Sequence, residues 1–359
     1  MGVELGRTAR RGRRVGSRVI HKRVVGGCTS RPQHAHSLVM TLAKFQGLPV
    51  LDDSFPLPLD RPFHRHDAVA EGFPLRWLSA LVASGHLRRP LRGVYVAAQV
   101  PDDTAARIAS LRLVVPDDAV ICDRHAGWLH GADMVLAPGE HLGAHPIRVF
   151  RFPGSYRLSG PQIDSGQRAM LARDVTEVDG LLVTTKLRTA LDLGRQRSAV
   201  VALSGVDAML RADVDRDELL AEVGRFAGER WVRTLRYVAP LSSRLSASPP
   251  ESAVKLAWYE TTGTLPDLQI EVTGPRGRPA FLDLGSKALR FAVEYDGAEW
   301  HSSGSDRAHD DERRDHITRV HRYDIDVVTA SNVYGPTRDI EAIIRSGLER
   351  GRRRLGTAA

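Results

Sequence analysis

At 359 residues the chain is long enough for two or three domains, and 42% hydrophobic with 26% charged residues excludes a disordered or fibrous composition. Two cysteines, Cys28 and Cys122, exclude a disulfide framework and make a reducing cytoplasm the expected setting, while no apolar run reaches the length of a membrane span. The net charge of +8 is gathered at one end: residues 1–25 hold Arg7, Arg10, Arg11, Arg13, Arg14, Arg18, Lys22 and Arg23 against Glu4 alone, so the rest is close to neutral.

That basic stretch reads in two ways: as an arm for nonspecific nucleic-acid binding, or as a product of start-site choice with the true start near Met40. An export signal is excluded, because no apolar segment follows the arginines. Residues 1–55 lack periodicity, are rich in Arg, Gly and Pro, and are expected to be mostly disordered. Residues 60–100 are expected to be compact. A helix from His66 to Glu71 stops at Gly72, and Pro74 opens another to Ala83, with Leu75, Leu78, Leu81 and Val82 at helical spacing and Gly85 as its stop. His86 to Val96 then reads as a basic hairpin. Two helices followed by such a hairpin are the parts of a winged helix-turn-helix, which makes Arg88, Arg89 and Arg92 candidate nucleic-acid contacts. The alternative is a small helical subdomain with a solvated basic loop.

Residues 101–240 form a middle region. Helices are expected over Ala105–Val115, His125–Gly131, Lys186–Leu193 (capped by Thr185), Val200–Arg211 and Asp215–Phe226, with strands at Val120–Cys122 and Leu181–Thr184. His125 and His130 are five apart, poor spacing for one metal on one helical face, so core or surface roles are expected. Asp192 is read as a packing or helix residue, with a site role as the alternative. No catalytic constellation stands out here.

Ser242 to Pro250, rich in Ser and Pro, reads as the clearest linker. After it comes a helix from Glu251 to near Gly263, then a strand at Leu268–Val272. Strands at Phe281–Leu284 and Phe291–Asp296 follow, joined by a turn at Gly285-Ser286-Lys287. A charged helix over Asp306–Val320, a strand over Tyr323–Thr329 and a helix over Thr337–Leu348 close the region. The order α-β-β-β-α-β-α spans about a hundred residues, the size of one domain. Along the second hairpin strand Phe291, Val293 and Tyr295 alternate with Ala292, Glu294 and Asp296, so one face is apolar and the other carries two carboxylates. The hairpin can bring Asp283 beside them, and a hard divalent cation such as Mg²⁺ is the natural partner for such a group.

Pro250-Glu251-Ser252, Gln269-Ile270-Glu271-Val272, Leu282-Asp283-Leu284, Val293-Glu294-Tyr295-Asp296-Gly297, His301 and the helix with Arg313 and Arg314 resemble the very-short-patch-repair-endonuclease-like branch of the PD-(D/E)xK superfamily. More weakly, Arg92-Gly93-Val94-Tyr95-Val96, Gly127-Trp128-Leu129-His130-Gly131 and Thr189-Ala190-Leu191-Asp192 resemble the winged-helix antitoxin of type IV abortive-infection systems. The expected fold class is α/β with an α+β N-terminal part. A winged helix-turn-helix (60–100) and a mixed antitoxin-like region (101–240) would precede a restriction-endonuclease-like α/β domain (249–350).

The nuclease resemblance implies Mg²⁺- or Mn²⁺-dependent phosphodiester hydrolysis on DNA, in defence or repair. Asp283 and Glu294 would be metal ligands, Glu251 would orient the attacking water, and His301 would act as general acid or base. Arg314 would contact phosphate. Asp296 stands where the ExK pattern has lysine, which leaves the proton carrier open. The alternative is a non-catalytic antitoxin-like DNA-binding regulator with a degenerate nuclease fold and a toxin or defence-system partner. Trp258 and Trp300 are assigned to packing, and the Asp310–Asp315 run to a solvated helix face apart from Arg314.

Overall fold

The computed structural model describes residues 41–356 except 135–145, 155, 157, 159–162 and 298–303, with side chains of the helix after 303 described from residue 310. The basic stretch, Cys28, Met40, Trp300 and His301 lie outside the described residues. Among those described, no helix is long and apolar enough to cross a membrane.

The N-terminal part contains α1 (Leu42–Gln46), β1 (Phe63–His64), α2 (Arg65–Ala70), α3 (Leu75–Ala83), β2 (Leu87–Leu91) and β3 (Val94–Ala97). The two expected helices and the hairpin are present, and β1 adds a strand to the free edge of β3, giving an antiparallel sheet of order β1-β3-β2. Asp67 starts α2 by accepting from the His64 backbone N–H (2.7 Å). Gly72 and Gly85 follow the two helices with φ of +67° and +78°, the left-handed stop that glycine adopts without strain. The expected disorder of residues 1–55 is corrected for the described part of that range, from Leu42 to Phe55. Phe45, Leu51 and Phe55 are buried with Phe63, Phe73, Leu78 and Leu81. His86 Nε2 hydrogen-bonds Leu48 O (2.7 Å), and Gln99 Nε2 donates to Leu51 O (2.9 Å). A wrapping loop with well-spaced aromatic anchors has no period to display, yet it is part of the core.

The middle part runs α4 (Thr104–Arg112), β4 (Val120–Ile121), α5 (Asp123–Leu129), β5 (Ile147–Arg151), β6 (Ile163–Gln167), β7 (Val175–Val178), β8 (Leu181–Thr184), α6 (Lys186–Gly194), α7 (Ala199–Arg211), α8 (Arg216–Glu222) and α9 (Val232–Val238). Its mixed sheet has the order β6-β5-β4-β8-β7, parallel at β4/β8 and β5/β6. Thr185 caps α6, as expected, by accepting from the Arg188 N–H (3.3 Å). α7 is the hub of the helical layer: Ala202, Leu203, Val206 and Met209 pack with Leu191 of α6 and Leu235 of α9.

The C-terminal part is α10 (Pro249–Thr262), β9 (Asp267–Thr273), β10 (Pro279–Ser286), β11 (Phe291–Tyr295), α11 (Gly304–His321), β12 (Asp324–Val328), α12 (Ala330–Val333) and α13 (Ile340–Gly356). This is the expected order with the short α12 added. The sheet order is β12-β11-β10-β9, with β11/β12 parallel and the other pairs antiparallel. Phe291 and Val293 pack with Val254 and Trp258 of α10 and Ile344 of α13, while Ala292, Leu282 and Ile270 pack with Ile317 of α11. Trp258 has the packing role expected of it, stacked on Phe291 with ring centroids 5.9 Å apart. Gly285 belongs to β10 rather than to the turn, which starts at Lys287. A Cβ there would sit 2.2 Å from Phe291 O, so the strands close only over a glycine.

Ser242–Pro250 is packed rather than free. Ser243 N donates to Asp207 Oδ1 (2.8 Å), Arg211 holds Ser246 O, and Ser248 caps α10. Across the same seam Lys255 Nζ of α10 donates to Asp207 Oδ2 of α7 at 2.6 Å, with both side chains buried.

Candidate functional site

The strand pairings explain how the C-terminal acids meet. β10 pairs with β9 at Leu282–Ile270 and again at Leu284–Leu268, skipping Asp283 and Gln269, whose φ is +46°. Leu284 lies opposite Val293 on β11, so Asp283 comes next to Glu294 along the hairpin. Asp283 Oδ2 accepts from the Tyr295 backbone N–H (2.9 Å). Glu251, on the first turn of α10, accepts from Ala247 N (2.8 Å), Ser248 Oγ (2.8 Å) and Gln269 Nε2 (3.3 Å). Ser248 and Glu251 thus form a variant of the capping box, and Ser-Pro-Pro-Glu carries that pattern in the sequence. Burial, with the nearby Glu251 and Glu294 charges, pushes the Asp283 carboxyl up to about 7 against the Tyr295 N–H. Burial also raises Glu251, although its three donors oppose the shift.

Glu294 differs. It is 3% exposed, and Arg313 grips both its oxygens (Nη1–Oε1 and Nη2–Oε2, 3.0 Å each) while Arg314 Nε donates to Oε2 (3.0 Å). Arg314, expected on phosphate, is therefore turned inward onto Glu294, with Asp311 3.6 Å away on its own helix. Asp296 is half-buried, its N–H on Val328 O (2.8 Å), and its charge is felt by Arg314.

These residues are a poor fit to a divalent cation. A Mg²⁺ ligand must turn a lone pair to the ion in near-octahedral geometry. Both Glu294 oxygens already face guanidinium N–H groups, both Glu251 oxygens accept hydrogen bonds at the cap, and Asp283 Oδ2 accepts from the Tyr295 N–H. Among the described residues no group of three or more His, Cys, Asp and Glu is arranged to hold a metal. The positive charge expected to join the acids comes, at Glu294, from two arginines.

In the N-terminal part the structure separates the three expected arginines. Arg92 is exposed beside Gly93, whose φ of +80° makes the hairpin turn. Arg88 is half-buried, bonded to Val100 O and 3.9 Å from Asp102, and Arg89 is half-buried with Nε enclosed. Arg65 N donates to Gly93 O (2.8 Å), so the exposed Arg65 at the start of α2 adjoins the turn that carries Arg92. Arg76 is exposed on α3. Arg65 and Arg76 are missed by a reading that looks for cations only on the hairpin.

The middle part holds a charge network that sequence reading missed. Asp192, with a fully buried side chain, accepts from Arg168 Nη1 (2.7 Å), Arg188 Nε (2.9 Å) and Arg195 Nη2 (2.6 Å). Arg188 continues to Asp174 (2.7 Å), which also takes Arg225 (2.8 Å). Arg168 also bridges to Asp123 (2.8 Å), which Arg148 reaches at 3.3 Å. The local spacings Arg188–Asp192 (i to i+4) and Asp192–Arg195 (i to i+3) were signals in the sequence, but the links to Arg168, Asp174 and Asp123 were not. Asp123, the first residue of α5, has φ +54° and lines a cavity of about 270 Å³ with Arg148, Asp164 and Ser204. His125 accepts from Arg148 N (3.4 Å) and His130 bonds Thr184 O (2.7 Å), so both serve the core.

Residues 119–241, from the start of β4 to just past α9, match the family described as AbiEi antitoxin C-terminal domain. The chain is 28% identical over 237 residues to the uncharacterized protein Rv2248 of Mycobacterium tuberculosis strain H37Rv and equally to the uncharacterized protein MT2308 of strain CDC 1551. Each alignment covers 66% of this chain and 83% of the relative. Among solved structures, the RV2827C protein of Mycobacterium tuberculosis is similar at 13% identity, over 55% of this chain and 74% of that one, with a TM-score of 0.26, too low to carry an argument. The antitoxin-like part of the expected organisation is thereby supported for 119–241. The restriction-endonuclease-like resemblance of 249–350 rests on its quoted residues alone.

Proposed function

We propose that the protein is an antitoxin-like DNA-binding regulator acting with a protein toxin. In this reading residues 60–100 form a winged helix-turn-helix that meets DNA through Arg65, Arg76 and Arg92. Residues 101–240 form the antitoxin-like domain, and 249–350 a nuclease-like fold turned to a structural use. The observation that carries the proposal is the match of residues 119–241 to an antitoxin domain family. Support comes from Glu294, whose carboxylate is neutralised by Arg313 and Arg314.

The test is a selection of bound duplexes from a random library by the full chain, followed by anisotropy titrations of an enriched and a scrambled duplex. A regulator should prefer the enriched duplex by about a thousandfold or more, the usual margin of specific over nonspecific binding. Arg65→Gln with Arg92→Gln should weaken it. Equal affinity for both duplexes would refute the reading.

A second reading, metal-dependent phosphodiester hydrolysis, is favoured by one observation: Asp283 feels both Glu251 and Glu294. Plasmid incubation with Mg²⁺ or Mn²⁺ decides it. Cleavage by the wild type that disappears in Asp283→Ala and Glu294→Ala would establish an endonuclease. Intact supercoiled, linear and single-stranded substrates would retire it.

A further inference from the structure

α13 is amphipathic in an unusual way. Its inner face, Ile340, Ile344 and Leu348, is buried against the sheet, and two glycines on that side let it lie close. A Cβ on Gly347 would fall 2.0 Å from Phe291 Cζ, and one on Gly351 would fall 2.9 Å from Leu289 Cβ. The rotation this imposes leaves Arg345, Arg352 and Arg353 on the exposed side. Arg354 Nη2 donates to Leu289 O (3.4 Å) and Arg290 O (3.2 Å), fixing the helix end to the β10–β11 turn, where Lys287 and Arg290 are exposed.

The neighbouring acids offset this face only in part, Asp267 among them, whose Oδ2 accepts from the Lys287 N–H (2.8 Å). Asp324 and Asp326 are taken by Arg350, at 2.7 Å each, with Arg354 3.7 Å from Asp324. Glu349 lies 3.7 Å from Arg353, with side chains 60% and 81% exposed, a surface pair of little strength. Beyond residue 25 the chain is nearly neutral, so a local excess of guanidinium groups stands out.

We propose that this face of α13, with the Lys287–Arg290 turn, binds the phosphate backbone of duplex DNA as a contact separate from the N-terminal hairpin. Arg345 and Arg352 are two helical turns apart, about 10 Å at 1.5 Å per residue. A duplex presents a charge about every 1.7 Å of its axis, so a row of this length meets several phosphates, which guanidinium groups can grip in a bidentate way. An anionic membrane is the weaker match. A helix lying on a bilayer must also insert a row of apolar side chains, and on α13 Ile340, Ile344 and Leu348 are buried in the domain, which leaves Leu355 as its one large apolar side chain that is mostly exposed. The proposal extends the DNA-binding reading above but does not depend on the hairpin.

The test compares the full-length wild type, the triple variant Arg345→Gln/Arg352→Gln/Arg353→Gln and the hairpin variant Arg65→Gln/Arg92→Gln, by anisotropy on a duplex of about three helical turns at several salt concentrations. Unfolding midpoints confirm that each variant folds. Each lost phosphate contact should flatten the dependence of log K on log salt by about 0.9, so the triple variant should be shallower by about 2–3 and weaker at every salt concentration. Unchanged affinity and slope in a folded triple variant would overturn the inference. A weakened triple variant beside an unaffected hairpin variant would uphold it while removing the hairpin from the proposed function. A triple variant that keeps its DNA affinity but no longer binds phosphatidylglycerol vesicles would overturn it in favour of a membrane surface.

Discussion

Two clusters of acids in this chain live in opposite electrical surroundings. In the antitoxin-like region burial works against the ionised form of Asp192, but Arg168, Arg188 and Arg195 outweigh it and hold the carboxyl below its ordinary range. Asp174 is lowered in the same way, burial being overcome by the Leu171 N–H, Arg225 and Arg188. In the C-terminal sheet Glu294 pairs with both arginines, and Asp283, raised by burial and then by the Glu251 and Glu294 charges, reaches about 7 against the Tyr295 N–H and the more distant Arg313. What separates the clusters is the supply of cations, not of acids. Three acids meeting on a sheet therefore do not by themselves require a metal; guanidinium groups and protons can balance them.

The largest effect should come from the better-supplied cluster. Asp192→Ala takes the shared carboxylate from the buried Arg188 and the half-buried Arg168 and Arg195, and breaking a buried pair costs about 3–5 kcal/mol. Chemical denaturation should show a loss of that size or failure to fold. A variant as stable as the wild type would mean that the network does not organise the domain.

Between the clusters lies the Lys255–Asp207 bridge. Lys255→Met alone should cost about 3 kcal/mol, because Asp207 stays buried without its partner. Lys255→Met combined with Asp207→Asn, which removes the charge but keeps an oxygen for the Ser243 N–H, should recover most of that loss. A double variant as unstable as the single one would show that packing at the seam, and not the uncompensated charge, sets the cost.

The element order of the C-terminal domain was legible because its alternating strands and charged helix follow simple periods. The helices and hairpin of residues 63–97 were legible for the same reason. β6 was missed because Ile163–Gln167 is polar and lies at the sheet edge, where only one neighbour demands anything of it. The Asp192 hub was missed because two of its arginines come from outside its helix: Arg168 is 24 residues away, and Arg195 follows the helix end. At the C-terminal acids the types and places were legible but their partners were not. Nothing local says that Arg313 and Arg314 turn toward Glu294 rather than solvent; only the cap role of Glu251 has a local sign, in Ser-Pro-Pro-Glu. The position of the acids follows from strand period, whereas their charge state depends on contacts far apart in sequence.

Glu294→Gln separates the two accounts of that residue. As a clasp for α11 it should lose about 1.5–3 kcal/mol, the range for hydrogen bonds to charged groups. Adding millimolar Mg²⁺ should leave the melting temperature of the wild type unchanged. A Mg²⁺-dependent rise in the wild type that vanishes in the Gln variant would assign Glu294 to a metal instead.

The prediction that tests the comparison most directly is the pH dependence owed to Asp283. Its carboxyl titrates near 3.8 when unfolded and at about 7 when folded, so between those values the folded state holds a proton that the unfolded state has released. Stability from this group must then fall as pH rises from about 4 to 7, and stay at its reduced level above 7. Asp174 and Asp192 act in the opposite sense and in another window, since their lowered carboxyls withdraw stability only as pH falls below the ordinary carboxylate range. Asp283→Asn keeps an oxygen for the Tyr295 N–H but cannot ionise. Denaturation midpoints of the two proteins should agree near pH 4 and separate in favour of Asn by pH 8, while the acid limb below pH 4 stays common to both. Parallel curves from pH 4 to 8 would mean that Asp283 is ionised in the fold, with a cation beside it that the two arginines on Glu294 do not supply.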